Sequence, residues 1–207
     1  MAWNTDRTKA LLLSAAAKEF GQRGLAGARV DRIAMSAGVN KERIYQYFQN
    51  KEGLFEAVLG EMARAVAAVP LQGTGATAVG DYAGRLFDRY CDDEILSRLQ
   101  FWEGLEEGVP GHREGQMTRS WMPEVNALAS ALPGIEGDVV EELLLSMVAL
   151  CAGWRVIPRR DSMPALDPEA QNAERRESIV TMFSLLAQFI VARSPAQGTG
   201  RSQASKR

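Results

Sequence analysis

The sequence predicts an all-α fold, with a small three-helix domain at the N-terminus and a larger helical domain behind it. Apolar residues recur at helical spacing along nearly the whole chain, and the apolar–polar alternation typical of strands never extends beyond four residues. Of the 207 residues, 46% are apolar and 24% are charged, which is typical of a globular protein with a substantial core. Glycine and proline interrupt the helical pattern at a few points and divide it into separate helices.

The first long helix is predicted over residues 8–22, where the apolar side chains form one stripe. Gly24 follows, at a position that favours the left-handed backbone conformation with which many helices end. A second long helix is predicted over residues 51–69, again with one apolar stripe. These two helices should pack together and support the segment between them.

Two short helices are predicted between the long ones, over residues 30–36 and 41–48. Gly38 supplies the positive φ of the tight turn that joins them, and Asn40 is a strong N-cap for the second. A supporting helix followed by two short helices and a tight turn is typical of a helix-turn-helix DNA-binding unit. In such a unit the second short helix lies in the major groove and is the recognition helix.

The rest of the chain is predicted to be helical as well. A break at 70–77 contains two glycines and a proline, and five helices follow it, over 78–91, 93–107, 113–132, 138–156 and 168–193. We therefore divide the chain into four parts: a helix-turn-helix domain at 1–50, a connecting helix at 51–69, a larger helical domain at 70–193 and a disordered tail at 194–207.

Charge is distributed unevenly between these parts. Residues 1–50 contain eight Lys or Arg against four Asp or Glu, a net charge of +4, whereas the remaining residues have a net charge of −6. A basic N-terminal part on an acidic remainder fits a nucleic-acid-binding module joined to a second domain. We expect no membrane span, because no apolar run reaches the length that a span needs. The first residues lack the uninterrupted apolar stretch of a secretion signal, and we therefore expect a cytoplasmic protein.

Few residues are available for catalysis or metal binding. The chain has one histidine, His112, and its two cysteines, Cys91 and Cys151, lie far apart and form no CxxC motif. The sequence contains no Gly-rich phosphate loop and no nucleophile motif, which argues against an all-α enzyme. We expect no cofactor and no metal. A helical ligand-binding or interaction protein without specific DNA binding is the alternative to a DNA-binding regulator.

One continuous motif is more specific than the helical pattern. Residues 44–54 read Ile-Tyr-x-Tyr-Phe-x-x-Lys-Glu-x-Leu, directly after the Gly38 turn. With the residues around it, over about 8–60, this segment closely resembles the signature of the tetracycline-repressor (TetR) family. The resemblance implies a homodimeric transcriptional regulator, usually a repressor, that binds a double-stranded DNA operator and releases it when a small-molecule effector binds the C-terminal domain.

The resemblance also assigns DNA contacts. It places Asn40 at the cap of the recognition helix and Lys41 and Arg43 in its first turn, where base edges are within reach. Arg43 stands where the family more often has a small residue, so it should alter sequence preference. The family pattern places the hydroxyls of Tyr45 and Tyr47 and the ammonium group of Lys51 near DNA phosphates. The residues expected to contact DNA are Arg29, Asn40, Lys41, Arg43, Tyr45, Gln46, Tyr47 and Lys51.

Several of these assignments have a competing interpretation. For Tyr45 or Tyr47, the alternative to a DNA contact is a position in the core. The second helix of the family normally begins with Thr or Ser, but this chain has Ala28 and Arg29 there, so Arg29 would have to supply the phosphate contact by charge. The Arg-Asp pair that follows in the family is reversed here to Asp31-Arg32.

The C-terminal part is rich in aromatic and methionine side chains. These side chains are either packed core or the walls of a cavity that binds an apolar ligand. The candidates for such a pocket are Phe87, Tyr90, Phe101, Trp102, Met117, Trp121, Met147 and Trp154. We expect ligand binding to be transmitted to DNA through the helix at 51–69.

The last two predicted helices are apolar on more than one face. A helix that is apolar on two faces must bury both, one within its own domain and the other against a partner chain. The family resemblance assigns to these helices a four-helix bundle across a two-fold axis. The residues expected at this dimer interface are Leu143, Met147, Ile179, Met182, Phe183, Leu186, Phe189 and Ile190.

Overall fold

The computed structural model describes residues 5–105, 121–157 and 167–194. Within these ranges the chain forms nine α-helices and no strand, which confirms the predicted all-α fold. We number them α1 to α9: Thr5–Gly27, Val30–Ala37, Glu42–Phe48, Lys51–Ala67, Gly75–Asp92, Glu94–Leu105, Met122–Ala131, Gly137–Val156 and Pro168–Arg193. Part of the helix predicted over 113–132 and all but the first residue of the predicted tail lie outside the described residues.

Helices α1 to α4 form an N-terminal unit that we call the head. Its core contains fully buried apolar side chains from all four helices, and the rings of Phe20 on α1 and Phe55 on α4 meet edge to face at 5.0 Å. Helix α1 kinks at Gly24, where φ is 65°. Gly24 has the expected positive φ, but its ψ of 179° lies outside the left-handed helical region, so it forms a kink and not the left-handed end of the helix. Helical hydrogen bonding then resumes, because the Ala28 amide donates to the Gly24 carbonyl at 3.2 Å, so α1 extends beyond residue 22.

The turn between α2 and α3 has the expected geometry. Gly38 caps α2 with φ 65° and ψ 31°, in the left-handed region. The Asn40 Oδ1 atom accepts the Glu42 amide at 3.1 Å, which satisfies a donor at the start of α3. At the start of α4, Asn50 Oδ1 accepts the Gly53 amide at 2.7 Å. These caps fix the path of the chain into the recognition helix and out of it.

Helices α5 to α9 form the C-terminal unit, which we call the body. Helix α5 runs through its centre and packs closely against α9. The close approach depends on two glycines of α5: a Cβ atom at Gly80 would lie 2.6 Å from the Val180 carbonyl oxygen, and one at Gly84 would lie 2.7 Å from Val180 Cγ2. Beside this contact, Arg176 of α9 donates to both carboxylate oxygens of Asp88, at 2.8 and 2.9 Å.

The head and the body meet mainly where α6 packs on α1. The Gly21 carbonyl of α1 accepts two hydrogen bonds from α6, one from Arg98 Nε at 2.7 Å and one from Trp102 Nε1 at 3.2 Å. The Trp102 ring covers the kink in α1 so closely that a Cβ atom on Gly24 would lie 2.8 Å from it. We call this contact the α1–α6 seam. It connects the body directly to α1, the helix against which α2 and α4 of the head pack.

Candidate functional site

The recognition helix α3 is held by its apolar residues and exposes its polar ones. Ile44 is fully buried in the head core and Phe48 is half-buried. The predicted DNA contacts Asn40, Lys41, Arg43, Tyr45 and Gln46 are all exposed. Because α3 is only two turns long, these side chains are close together at the surface of the head.

The two cations among these exposed side chains already have partners within the head. Arg43 Nη1 donates to Gln46 Oε1 at 2.7 Å, one turn further along α3. Lys41 Nζ lies 3.3 Å from Asp31 Oδ1 of α2, and both side chains are exposed. Exposed ion pairs contribute about 0–1 kcal/mol, so a DNA phosphate can compete with Asp31 for Lys41. The guanidinium of Arg43 keeps free donors for a base edge.

The reversed pair Asp31-Arg32 has a structural explanation. Arg32 faces α1, where its Nε donates to Glu19 Oε1 at 2.7 Å and its Nη2 donates to the Gly27 carbonyl at 2.9 Å. Asp31 faces α3 and pairs with Lys41. The two charges therefore connect α2 to both of its neighbours in the head.

Glu19 is the residue of this region that sequence reasoning missed. Its Oε1 atom also accepts the Arg29 amide at 3.1 Å, at the start of α2, where no hydroxyl caps the helix. Burial alone would raise the pKa of the Glu19 carboxyl, but the hydrogen bonds from Arg32 and from the Arg29 amide, together with the charges of Arg32 and Arg23, lower that pKa. The only signal in the sequence is the absence of a capping residue at positions 28 and 29. The Arg29 side chain itself is exposed, as a phosphate contact requires.

Tyr47 and Lys51 are less accessible than the other candidates. Tyr47 is half-buried, its ring meets the Phe48 ring edge to face at 6.3 Å, and Lys9 Nζ lies 5.4 Å from its centroid. Lys51 is also half-buried and donates from Nζ to the Leu25 carbonyl at 2.7 Å. Lys51 therefore joins α4 to the end of α1, and any phosphate contact would use its remaining ammonium protons.

Seven of the eight pocket candidates belong to the described residues, and the structure does not bring these seven together around one cavity. Phe87, Tyr90 and Met147 are fully buried in the body core, Trp102 lies at the α1–α6 seam, and Met117 lies outside the described residues. The half-buried Trp154 packs 6.4 Å from the Phe87 ring and donates from Nε1 to Asn172 Oδ1 at 2.9 Å. Phe101 is half-buried against the same core.

Trp121 borders an open groove between α6, α7 and α8. The groove has a volume of about 280 Å³. Its floor contains Val125, Leu144 and Val148, which belong to the body core. The exposed carboxylates of Asp138, Glu141 and Glu142 lie at its rim, and Gln100 and Leu145 complete the lining. Among the predicted pocket residues that the structure describes, only Trp121 lines it.

The dimer candidates fall into two groups. Leu143, Met147, Ile179 and Phe183 are buried within the protomer, in the body core, and so offer no surface to a partner chain. Met182, Leu186 and Phe189 are exposed, and Ile190 is half-buried. Leu185, which sequence reasoning did not select, is 58% exposed beside them. The exposed set Met182, Leu185, Leu186 and Phe189 has the spacing of one helical stripe, which we call the α9 stripe.

In the part of the chain that the structure describes, no helix is both long enough and apolar enough to cross a membrane. The same residues contain no group of three or more His, Cys, Asp or Glu side chains that could hold a metal ion.

Two family models match the chain, one on each side of the junction between head and body. Residues 12–58 match bacterial regulatory proteins of the tetR family, and residues 78–184 match the tetracyclin repressor-like C-terminal domain. The first match covers the helix-turn-helix unit, and the second covers most of the body.

Curated relatives agree with these matches. The HTH-type transcriptional repressor SCO4008 of Streptomyces coelicolor is 35% identical over 161 residues, which cover 75% of this chain and 82% of the relative. The HTH-type transcriptional repressor NicS of Pseudomonas putida is 43% identical over 58 residues, which cover 28% of this chain and 27% of that protein. The NicS likeness is therefore confined to a segment of about the size of the head.

Solved structures share the whole fold. A putative transcriptional regulator from Streptomyces coelicolor, SCO4942, superposes with a TM-score of 0.67 at 28% identity, over 91% of this chain and 99% of that chain. FadR from Bacillus subtilis, solved in complex with stearoyl-CoA, gives 0.62 at 18% identity, over 83% and 97% of the two chains, and at this identity only the fold is comparable. With an exposed recognition helix in the head and a helical body behind it, the chain is a DNA-binding transcriptional regulator and belongs to the TetR family.

Proposed function

We propose that the protein is a homodimeric repressor that binds a pseudo-palindromic operator through α3 and leaves it when a small molecule binds the body. The α9 stripe is the main observation that supports a dimer. Its four large apolar side chains are 40–58% exposed on one face of a long helix, while the opposite side of α9 packs on α5. Contiguous exposed apolar patches of this kind mark interaction surfaces.

The charge and size of the head fit the DNA part of the proposal. A single short recognition helix contacts few base pairs, so specific binding requires two copies arranged about a two-fold axis. Their half-sites would lie about one DNA turn, or a multiple of it, apart. Arg43 is the side chain best suited to read a guanine, because Arg matches the O6 and N7 acceptors of guanine.

The experiment that tests this proposal begins with DNA selected from a random library by the purified protein. We expect a palindromic site that binds two protomers, with an affinity that falls steeply as salt is raised. Leu185→Glu places a charge in the α9 stripe and should produce a monomer that no longer shifts this DNA. Gln188→Glu is the matched control, because it adds the same charge to an exposed position of α9 outside the stripe. A monomeric wild-type protein that binds a single half-site with full affinity would contradict the proposal.

A further inference from the structure

The start of α1 lies beside the recognition helix. Thr8 is only 5% exposed, and with Arg43 and Gln46 of α3 it lines a cleft of about 430 Å³ between the two helices. The next residue, Lys9, is exposed, and its Nζ atom lies 5.4 Å from the centroid of the Tyr47 ring. Two consecutive residues of α1 therefore border α3, one inside the cleft and the other at the surface.

Tyr47 shares a row of side chains with Arg43. It follows Arg43 by four residues in the same helix, and positions four apart lie on the same face of a helix. Arg43 is exposed, and arginine is well suited to read a base edge. Lys9 therefore adds a positive charge, from a second helix, beside the row of side chains that we assign to the operator.

The Tyr47 ring orders Lys9 without neutralising it. An aromatic face attracts a cation through its quadrupole and carries no net charge, so the ammonium group keeps its full charge. Contact with the ring also restricts a flexible side chain, which then loses less rotamer freedom when it binds a phosphate. By comparison, Lys41 is paired with the carboxylate of Asp31. The Lys9 ammonium is thus held in place and remains fully charged.

A recognition helix in the major groove lies between two phosphate backbones. The groove is about 12 Å wide, and a helix with its side chains is about 10–12 Å across, so an element that borders the exposed face of the helix meets a backbone. The start of α1 is such an element, because Thr8 and Lys9 border α3 beside Arg43 and Tyr47. Lysine binds phosphate as a point charge, and such contacts fix the register of a protein on the duplex.

We propose that Lys9 is a DNA-binding residue, whose ammonium group contacts a phosphate of the operator backbone beside α3, so that α1 binds the DNA together with the recognition helix. The contact adds affinity for every DNA sequence and has no base preference of its own. This inference rests on the proposed function, since it names a further part of the surface that holds the operator.

The test uses the full chain, the DNA selected by the wild-type protein and a matched pair of lysine variants. Lys9→Gln removes the proposed contact. Lys18→Gln removes the same charge from another exposed position of α1, nine residues and about 13 Å further along the helix and on its opposite side. Affinity is measured by fluorescence anisotropy over a series of salt concentrations, and the melting temperature is measured on the same samples.

We expect Lys9→Gln to bind the selected DNA at least about fivefold more weakly than the wild-type protein at physiological salt, and the slope of log affinity against log salt should flatten by about 0.9 for each bound protomer. The loss should be the same on single-base variants of the site. Lys18→Gln should bind as the wild-type protein does. Lys9→Arg keeps both the charge and the ring contact, so it should keep the full slope.

The inference is overturned if Lys9→Gln and Lys18→Gln have the same affinity and slope, or if Lys9→Gln loses affinity only on particular sequences. A Lys9→Gln protein that melts at a clearly lower temperature and keeps the wild-type slope would also overturn it, because Lys9 would then stabilise the head and not the complex.

The same samples separate this inference from the proposed function. If the wild-type protein shifts the selected DNA and Lys9→Gln does so with unchanged affinity and slope, this inference fails and the proposed repressor stands. If no specific DNA site is found at all, the proposed function fails, and this inference fails with it.

Discussion

Arg43 carries the most specific prediction at the scale of single residues. It stands in the first turn of α3, exposed, with Gln46 steadying its guanidinium at 2.7 Å. Arg43→Ala should weaken binding to the best site by about 1–3 kcal/mol and relax the preference at one base pair per half-site. Competition binding against single-base variants of the selected site measures both effects.

Arg43→Lys is the control for charge at this position. It keeps the positive charge but loses the planar fork that matches guanine, so it should restore binding in general without restoring the base preference. An equal loss of affinity by Arg43→Ala on every sequence would show that Arg43 contacts phosphate rather than a base.

Glu19 gives a prediction on pH. The pKa of its carboxyl is lowered in the folded protein, so its contribution to the free energy of unfolding is complete above the unfolded pKa and is lost as the pH falls through the folded one. Glu19→Gln should therefore destabilise the head by about 1–3 kcal/mol at pH 7, from the loss of charged hydrogen bonds, and by progressively less as the pH falls below the unfolded pKa of about 4.3.

Thermal melts of wild type and Glu19→Gln across this pH range check the prediction. Glu56→Gln, an exposed change on α4, controls for the loss of one surface charge. A difference between wild type and Glu19→Gln that stays constant down to pH 3 would rule out the carboxylate as the source of the stability.

At the residue scale, the exposed face of α3 could be predicted from the sequence and the role of Glu19 could not. The exposed polar face of α3 followed from its motif and from the turn at Gly38. Glu19 could not be found in this way, because it lies 10 and 13 residues from its partners Arg29 and Arg32. Such a contact depends on the angle at which α1 packs on α2, and helical periodicity contains no information on that angle.

At the scale of helices, the contact between α5 and α9 gives a prediction on stability. A Cβ atom at Gly80 or Gly84 would overlap α9, and at Gly80 the nearest backbone atom would lie only 2.6 Å away. Gly80→Ala should therefore destabilise the protein by about 1–3 kcal/mol through overpacking and should displace α9. Because α9 carries the apolar stripe, the same change should weaken self-association.

Gly60→Ala on α4 is the matched control. A Cβ atom there would contact nothing closer than Arg64 Nη1 at 3.8 Å, and alanine favours a helix more than glycine does. We expect Gly60→Ala to be neutral or stabilising by up to about 1 kcal/mol, in chemical denaturation and in sedimentation alike. Equal effects of the two substitutions would show that α9 can shift without cost.

Helix positions were largely predictable, and the faces of the last two helices were not. Periodicity and capping residues predicted α8 over 138–156 and α9 over 168–193, close to the observed Gly137–Val156 and Pro168–Arg193. Both helices are apolar on two faces, and the sequence does not state which face packs inward. The structure assigns Ile179 and Phe183 to the core and leaves Met182, Leu185 and Phe189 outside, because α5 approaches α9 from one side only.

At the scale of the whole molecule, the α1–α6 seam should determine whether the head and the body unfold together. The double variant Arg98→Met with Trp102→Phe removes both hydrogen bonds to the Gly21 carbonyl and keeps most of the packing volume. We expect the wild-type protein to unfold in one transition and the double variant in two, with the head melting first. Far-UV circular dichroism and differential scanning calorimetry, compared on the same samples, would detect the separation.

The single variant Arg98→Met leaves the indole in place and should have the smaller effect. A double variant that unfolds in one coincident transition would show that the seam does not couple the two units. In that case the contact of α4 with α6 would remain as the route between effector and operator.

Because Trp102 lies at the α1–α6 seam, its fluorescence should report on the junction between head and body. Indole emission responds to local polarity and hydrogen bonding, and this indole is half-buried with its N–H on the Gly21 carbonyl. Any rotation of the head against the body would change both, whereas Trp154 is anchored within the body by Asn172. With Trp3, Trp121 and Trp154 replaced by phenylalanine, the remaining emission would follow the junction between head and body in real time, without a label and without a known operator.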